Sequence, residues 1–89
     1  MRLKARTDGT HKDIVKALRK VGCKVLDLSR VGGGCPDLLV RRRNGEPALM
    51  EVKTARGGLT PDQQRFIADW PETIVARSVD EALAAVGVR

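Results

Sequence analysis

The sequence predicts an α/β (α+β) domain with the element order α-β-β-β-α-β-α. Three observations predict it. Apolar residues recur at helical spacing near both ends of the chain, four short aliphatic runs of strand length lie between turn signals, and two helix-capping patterns divide the later elements. From Thr10 to Val21 the apolar positions are Ile14, Val15, Ala17, Leu18 and Val21. That is one helical face, with Thr10 as its cap, Gly22 as its stop, and Lys12, Lys16, Arg19 and Lys20 on the exposed side. Residues 1–9 read as a loose basic arm.

Residues 24–29 read as a short strand and 32–34, three glycines, as a loop. Residues 37–42 make a second strand. Asn44-Gly45 signals a two-residue hairpin, and 47–53 returns antiparallel as the third strand. Thr60-Pro61-Asp62-Gln63 is a helix start, with Thr as cap, Pro at the first helical position and Gln at the third. That helix carries Phe66, Ile67 and Trp70 and stops at Pro71. Residues 73–77 form a fourth strand. Ser78 with Glu81 caps a last helix, whose Val79, Ala82, Leu83 and Val86 share one face.

Composition limits what such a domain does. Eighty-nine residues make one domain, 1–89, near the size at which one core just suffices. With one Trp, one Phe and no Tyr, the core is aliphatic and an aromatic platform for stacked bases is excluded. A net charge of +6 favours a polyanionic partner, most simply nucleic acid. Cys23 and Cys35 make no disulfide framework, and with a single histidine no zinc-ligand spacing is visible; both read as small, buried, reduced residues. No segment is long enough to span a membrane, which together with the reduced thiols points to the cytoplasm.

The unusual feature is charge inside strands. Asp37 opens the second strand, and Glu51 and Lys53 lie near the end of the third. A two-residue turn at 44–45 pairs residues whose numbers sum to 89, which sets Asp37 opposite Val52. A slip of one residue would bring Asp37 onto the Glu51 face instead. Either way two carboxylates and an ammonium gather at one end of a small sheet. Two adjacent carboxylates raise a pKa unless a cation relieves them, and Mg²⁺ accepts one or two carboxylates plus water and phosphate oxygens. The plain alternative is a surface Glu51–Lys53 pair with Asp37 as a turn residue.

Pro36-Asp37, a hairpin, then Glu51-Val52-Lys53 within this element order resembles the PD-(D/E)xK nuclease superfamily. More narrowly, VGGGCPDLLV, ALMEVK and LTPDQQRF resemble the small stand-alone VRR-NUC domains of phages, relatives of Holliday junction resolvases. The resemblance implies a restriction-endonuclease-like core with a mixed four-stranded sheet flanked by helices. It implies a Mg²⁺-dependent DNA nuclease, with Mn²⁺ as a substitute, acting on duplex or branched DNA; a domain this small covers only part of a duplex and has a limited core, so a homodimer is expected. It makes Asp37, Glu51 and the carbonyl of Val52 metal ligands and Lys53 the catalytic lysine. Gln63 matches a glutamine near such sites, beside its reading as a helix cap.

His11 stands where the family carries a helix glutamate; an accessory role and a role-free place at the helix start both remain open, and Asp13 or Asp8 is an alternative source of the missing charge. Arg41, Arg42, Arg43 and Arg56 are candidate phosphate contacts. The glycines either admit the DNA backbone or simply turn the chain. A non-catalytic DNA-binding module with the same fold is the competing reading.

Overall fold

A computed structural model describes residues 5–88, and residues 5–9 by the course of the helix alone. The chain forms α1 (Ala5–Lys20), β1 (Lys24–Asp27), β2 (Leu38–Arg41), β3 (Pro47–Val52), α2 (Pro61–Asp69), β4 (Ile74–Ala76) and α3 (Val79–Ala85). The element order is the expected one. The strands are shorter than expected at their ends, although the Arg42 and Lys53 N–H groups still donate to the Glu46 and Ala76 carbonyls.

One boundary moves further. The first helix starts at Ala5, so residues 5–9, expected as a loose arm, are helical; residues 1–4 lie outside the described residues. Ala5 and Arg6 are strong helix formers, and Gly9 costs about 1 kcal/mol relative to Ala without ending a helix. Thr10 therefore lies inside α1 and does not cap it.

The sheet has the order β1-β2-β3-β4, with the first two pairings antiparallel and the β3–β4 pairing parallel. The β3–β4 crossover runs through α2. Alternation sends Val25, Val40, Leu38, Met50 and Ala76 to one face, where they form a single core with Ile14 and Leu18 of α1 and Ala82 and Val86 of α3. Ile14, Leu18, Leu38, Val40 and Met50 are wholly buried, and each stabilises the fold by about 1.5–3 kcal/mol relative to exposure. The opposite face is thinly covered. Helix α2 buries no residue completely, Leu26 is 60% exposed and Trp70, stacked on Phe66, is 49% exposed.

The β2–β3 register corrects the expectation. Leu38 pairs with Met50, Leu39 with Leu49, Val40 with Ala48 and Arg41 with Pro47. The numbers sum to 88, not 89. The cause is the turn. The Arg42 N–H donates to the Glu46 carbonyl and the Gly45 N–H to the Arg42 carbonyl, each at 2.8 Å. The loop is thus Arg43-Asn44-Gly45, with Gly45 at φ 92° in the left-handed region. A type I turn followed by a left-handed glycine is the common three-residue hairpin loop, and it replaces the expected two-residue turn. The extra residue shifts every partner by one and sets Asp37 opposite Glu51.

Candidate functional site

The site lies where β2 begins and β3 ends. The Asp37 carbonyl accepts the Leu28 N–H at 2.7 Å, which holds this strand start against the residue following β1. The Asp37 carboxylate accepts the Val52 N–H at 2.9 Å, so the acid is anchored across the ladder by backbone. Glu51, only 3% exposed, sits beside it. The Asp37 carboxylate is near enough to disfavour charge on Glu51. The Lys53 ammonium is 3.9 Å from Glu51 Oε2, and the Gln63 side-chain amide donates to that same oxygen at 3.0 Å. Asp37, Glu51, Lys53 and Gln63 are therefore brought together.

Electrostatics follow from this crowding. Burial, and next the Asp37 carboxylate, push the Glu51 carboxyl up to about 7, against the opposing pull of Lys53. The same two acids, after burial, push the Cys35 thiol above its ordinary value. Cys23 is buried as expected, but Cys35 is only partly so, because it stands at the edge of this acidic pair; both are free thiols.

Gln63 resolves a choice the sequence left open. Its amide oxygen accepts the Thr60 N–H at 2.9 Å while its backbone N–H donates to the Thr60 hydroxyl at 3.2 Å, completing a capping box. Its amide nitrogen is left for Glu51. One side chain starts α2 and reaches the site. Gly34 explains how α2 is placed. It has φ 83°, and a Cβ there would lie 2.3 Å from the Asp62 carbonyl oxygen. This glycine therefore seats the first turn of α2, whereas Gly32 and Gly33 have nothing within 4 Å.

A cleft of about 420 Å³ opens beside the acids, lined by His11, Asp27, Ser29, Asp37, Val52 and Lys53 among others. His11 reaches it from α1, and its Nε2 is buried without a hydrogen-bond partner. Asp13 is exposed and does not line the cleft, and the Asp8 side chain lies outside the described residues. Sequence reasoning missed Asp27. Its carboxylate accepts from the Ser29 N–H at 2.8 Å and the Ser29 hydroxyl at 2.5 Å, and those bonds, with His11 and Arg30 nearby, hold it below the usual carboxylate range. A signal existed: alternation from Val25 puts Asp27 on the covered face, the same anomaly that marked Asp37 and Glu51.

Arg77 was missed too. Its guanidinium donates to the Thr54 and Gly57 carbonyls at 3.0 and 2.5 Å and ties down the loop after Lys53. Arg56 is exposed on that loop. Arg41, Arg42 and Arg43 are not at the site. They lie at the other end of β2, about 14 Å or more away at ~3.4 Å per residue. Arg42 is also engaged by Glu46, 3.8 Å away.

The matching family model, that of the VRR-NUC domain, covers residues 4–86. The chain belongs to the VRR-NUC family. Comparison with curated proteins and with solved structures returned no match. This VRR-NUC chain is thus a nuclease-type domain, for which DNA is the substrate membership suggests. Among the described residues no three His, Cys, Asp or Glu side chains gather as a ready metal-binding group. The VRR-NUC site instead offers a close pair of carboxylates in need of countercharge. That donor set suits a hard divalent cation completed by backbone, water and phosphate oxygens better than it suits zinc. No helix of the described residues is long and apolar enough to cross a membrane.

Proposed function

We propose that this domain is a Mg²⁺-dependent DNA endonuclease of the PD-(D/E)xK type, selective for branched or junction DNA. The observation that carries the reading is Glu51. A buried carboxylate held between a second carboxylate, an ammonium and an amide is costly for a fold of this size, and it is suited to a cation. Asp37 and Glu51, with the Val52 carbonyl, would hold the metal, and Mn²⁺ would substitute for Mg²⁺. When bound, the cation supplies Lewis-acid polarisation of the phosphodiester and acidifies a water.

The rest belongs to the chain. The Val52 N–H fixes the Asp37 carboxylate, and Gln63 fixes Glu51. Lys53 adds positive charge where negative charge accumulates on the phosphodiester. Arg56 is exposed on the loop that follows and is available to a flanking phosphate. The small size of the domain, together with the open sheet face around Leu49 and the half-exposed Trp70, supports a homodimer on the α2 side of the sheet. Two copies would present two sites to a two-fold junction, in the cytoplasm, where free thiols persist.

The test is incubation of labelled duplex, splayed and four-way DNA with Mg²⁺, Mn²⁺ or chelator. Cleavage is expected only with metal, and Lys53→Ala is expected to remove it by a factor of about 10² or more while the protein stays folded. Binding without cutting under every metal condition would make this a non-catalytic DNA-binding module. Light scattering across concentrations reads the dimer.

A further inference from the structure

The cleft does not end at the catalytic acids. It shares His11, Lys12 and Asp27 with a second hollow of about 440 Å³. That hollow shares Arg19 and Val25 with a third, of about 760 Å³, near the hairpin. The three adjoin one another around β1, an edge strand of the sheet: the first two lie on its α1 side, and the third wraps past Arg19 onto the opposite face.

The groove on the α1 side has a basic rim. Lys12, Lys16 and Arg19 lie at i, i+4 and i+7 on α1, so they form one stripe about 10 Å long. Lys24 and Arg41, a cross-strand pair, add two more cations around the β1 edge on the opposite face. All five cations are exposed. Among the described residues the single acid lining these hollows besides Asp37 is Asp27, which is bonded to Ser29 at the mouth of the catalytic cleft. On the α1 side the floor is apolar, Val15 and Val25; Leu26 and Leu39 line the part of the third hollow that turns onto the opposite face of the sheet. Helix α1 is fixed against this strand by Arg19, which donates to the Val25 carbonyl at 3.2 Å. The Leu28 N–H to Asp37 bond sets the phase of the ladder, so Val25 and Asp27 turn their backbone groups to the open edge.

We propose that this α1–β1 groove holds a single-stranded arm of the DNA substrate as it leaves the catalytic cleft. The assignment rests on reading that cleft as the cleavage site. Charge complementarity and continuity with the cleft point to nucleic acid. The apolar floor points to a single strand, since a duplex turns its phosphates outward and keeps its base faces stacked inside. From Asp37 to Arg41 the path is about 14 Å at ~3.4 Å per strand residue. A strand with its bases unstacked advances further per nucleotide than a duplex does, so a few nucleotides span that length. Among the described residues no aromatic side chain lines the groove, so charge dominates and the arm's binding falls steeply with salt.

The experiment measures binding of the whole protein to fluorescent duplexes carrying no arm or a single-stranded arm of two, four or eight nucleotides, 5′ or 3′, by anisotropy in chelator. Cleavage of the same set is followed with Mg²⁺. An arm of one polarity is expected to tighten binding about tenfold, with the gain complete by four nucleotides and no larger at eight. In Lys16→Ala/Lys24→Ala the arm-to-blunt ratio is expected to fall towards one. The salt dependence on arm-bearing DNA is expected to become shallower by about 1.4, or 0.7 per lost contact. Arg65→Ala, on α2 outside the groove, is expected to keep the wild-type ratio. Equal affinity with and without an arm, or a ratio unchanged in the double variant, overturns the proposal. Arm-dependent binding with no cleavage of any substrate retains the groove and refutes the nuclease reading alone.

Discussion

Replacing Glu51 with Gln should stabilise this protein and inactivate it. In the folded chain the Glu51 carboxyl titrates at about 7, against an ordinary value of 4.5, because burial and Asp37 disfavour its charge. A raised folded pKa means that the stability present below pH 4.5 is lost as pH climbs through 7. A tenfold change in proton affinity is worth about 1.4 kcal/mol, so the full rise corresponds to about 3 kcal/mol, of which about 2 kcal/mol is lost between pH 5 and pH 8.

A neutral amide of the same shape can still accept from Gln63 and removes the repulsion. Glu51→Gln is therefore expected to unfold at higher urea than the wild type at pH 8 in chelator, by about 2 kcal/mol, with the gap closing towards pH 5. Divalent cation should stabilise the wild type at pH 8 and leave the variant nearly unmoved, since the variant lacks half of the carboxylate pair. Urea titrations at four pH values, with and without Mg²⁺, read all of this. A variant no more stable than the wild type at pH 8, or a gap independent of pH, would refute the claim that Glu51 is held at a cost.

Other outcomes follow from the same contacts. Gly34→Ala combines a strained φ of 83° with a Cβ 2.3 Å from the Asp62 carbonyl oxygen. It should cost about 2 kcal/mol or more and displace Gln63, lowering cleavage more than DNA affinity on the same substrate. Arg77→Ala strips two carbonyls of their donor and should cost about 2 kcal/mol; trypsin is expected to cut at Arg56 faster in the variant, which a timed digest measures. Gln63→Leu removes the side-chain half of the capping box and the Glu51 contact while Thr60 still caps the helix, so its melting temperature should fall by several degrees, as about 1 kcal/mol implies for a chain of this size.

Much of the fold was legible from local chemistry. Thr60-Pro61 and Ser78 began helices because side-chain oxygens satisfy orphan N–H groups within three residues, and that needs no distant partner. Even there a detail escaped: the Glu81 carboxylate accepts from the Arg77 N–H at 2.7 Å rather than from Ser78, so the expected capping box is only half formed. The periodicity of Ile14, Leu18, Ala82 and Val86 disclosed the helical core, because burial repeats every turn. The acids drew notice for the same reason: charge within an apolar strand contradicts its pattern.

By itself, then, the sequence determined the order of elements, the aliphatic core and the presence of two acids and an ammonium near one sheet end. Tertiary structure alone decided which of them meet. One extra loop residue, Arg43, moved Asp37 from Val52 to Glu51, and because strand side chains alternate, a single step of register changes every facing pair. Likewise His11, Asp27 and Lys53 share a cleft only because α1, β1 and β3 pack around a common core. Capping and periodicity act over a few residues, whereas such convergence depends on contacts between segments far apart in the chain, which no local pattern encodes.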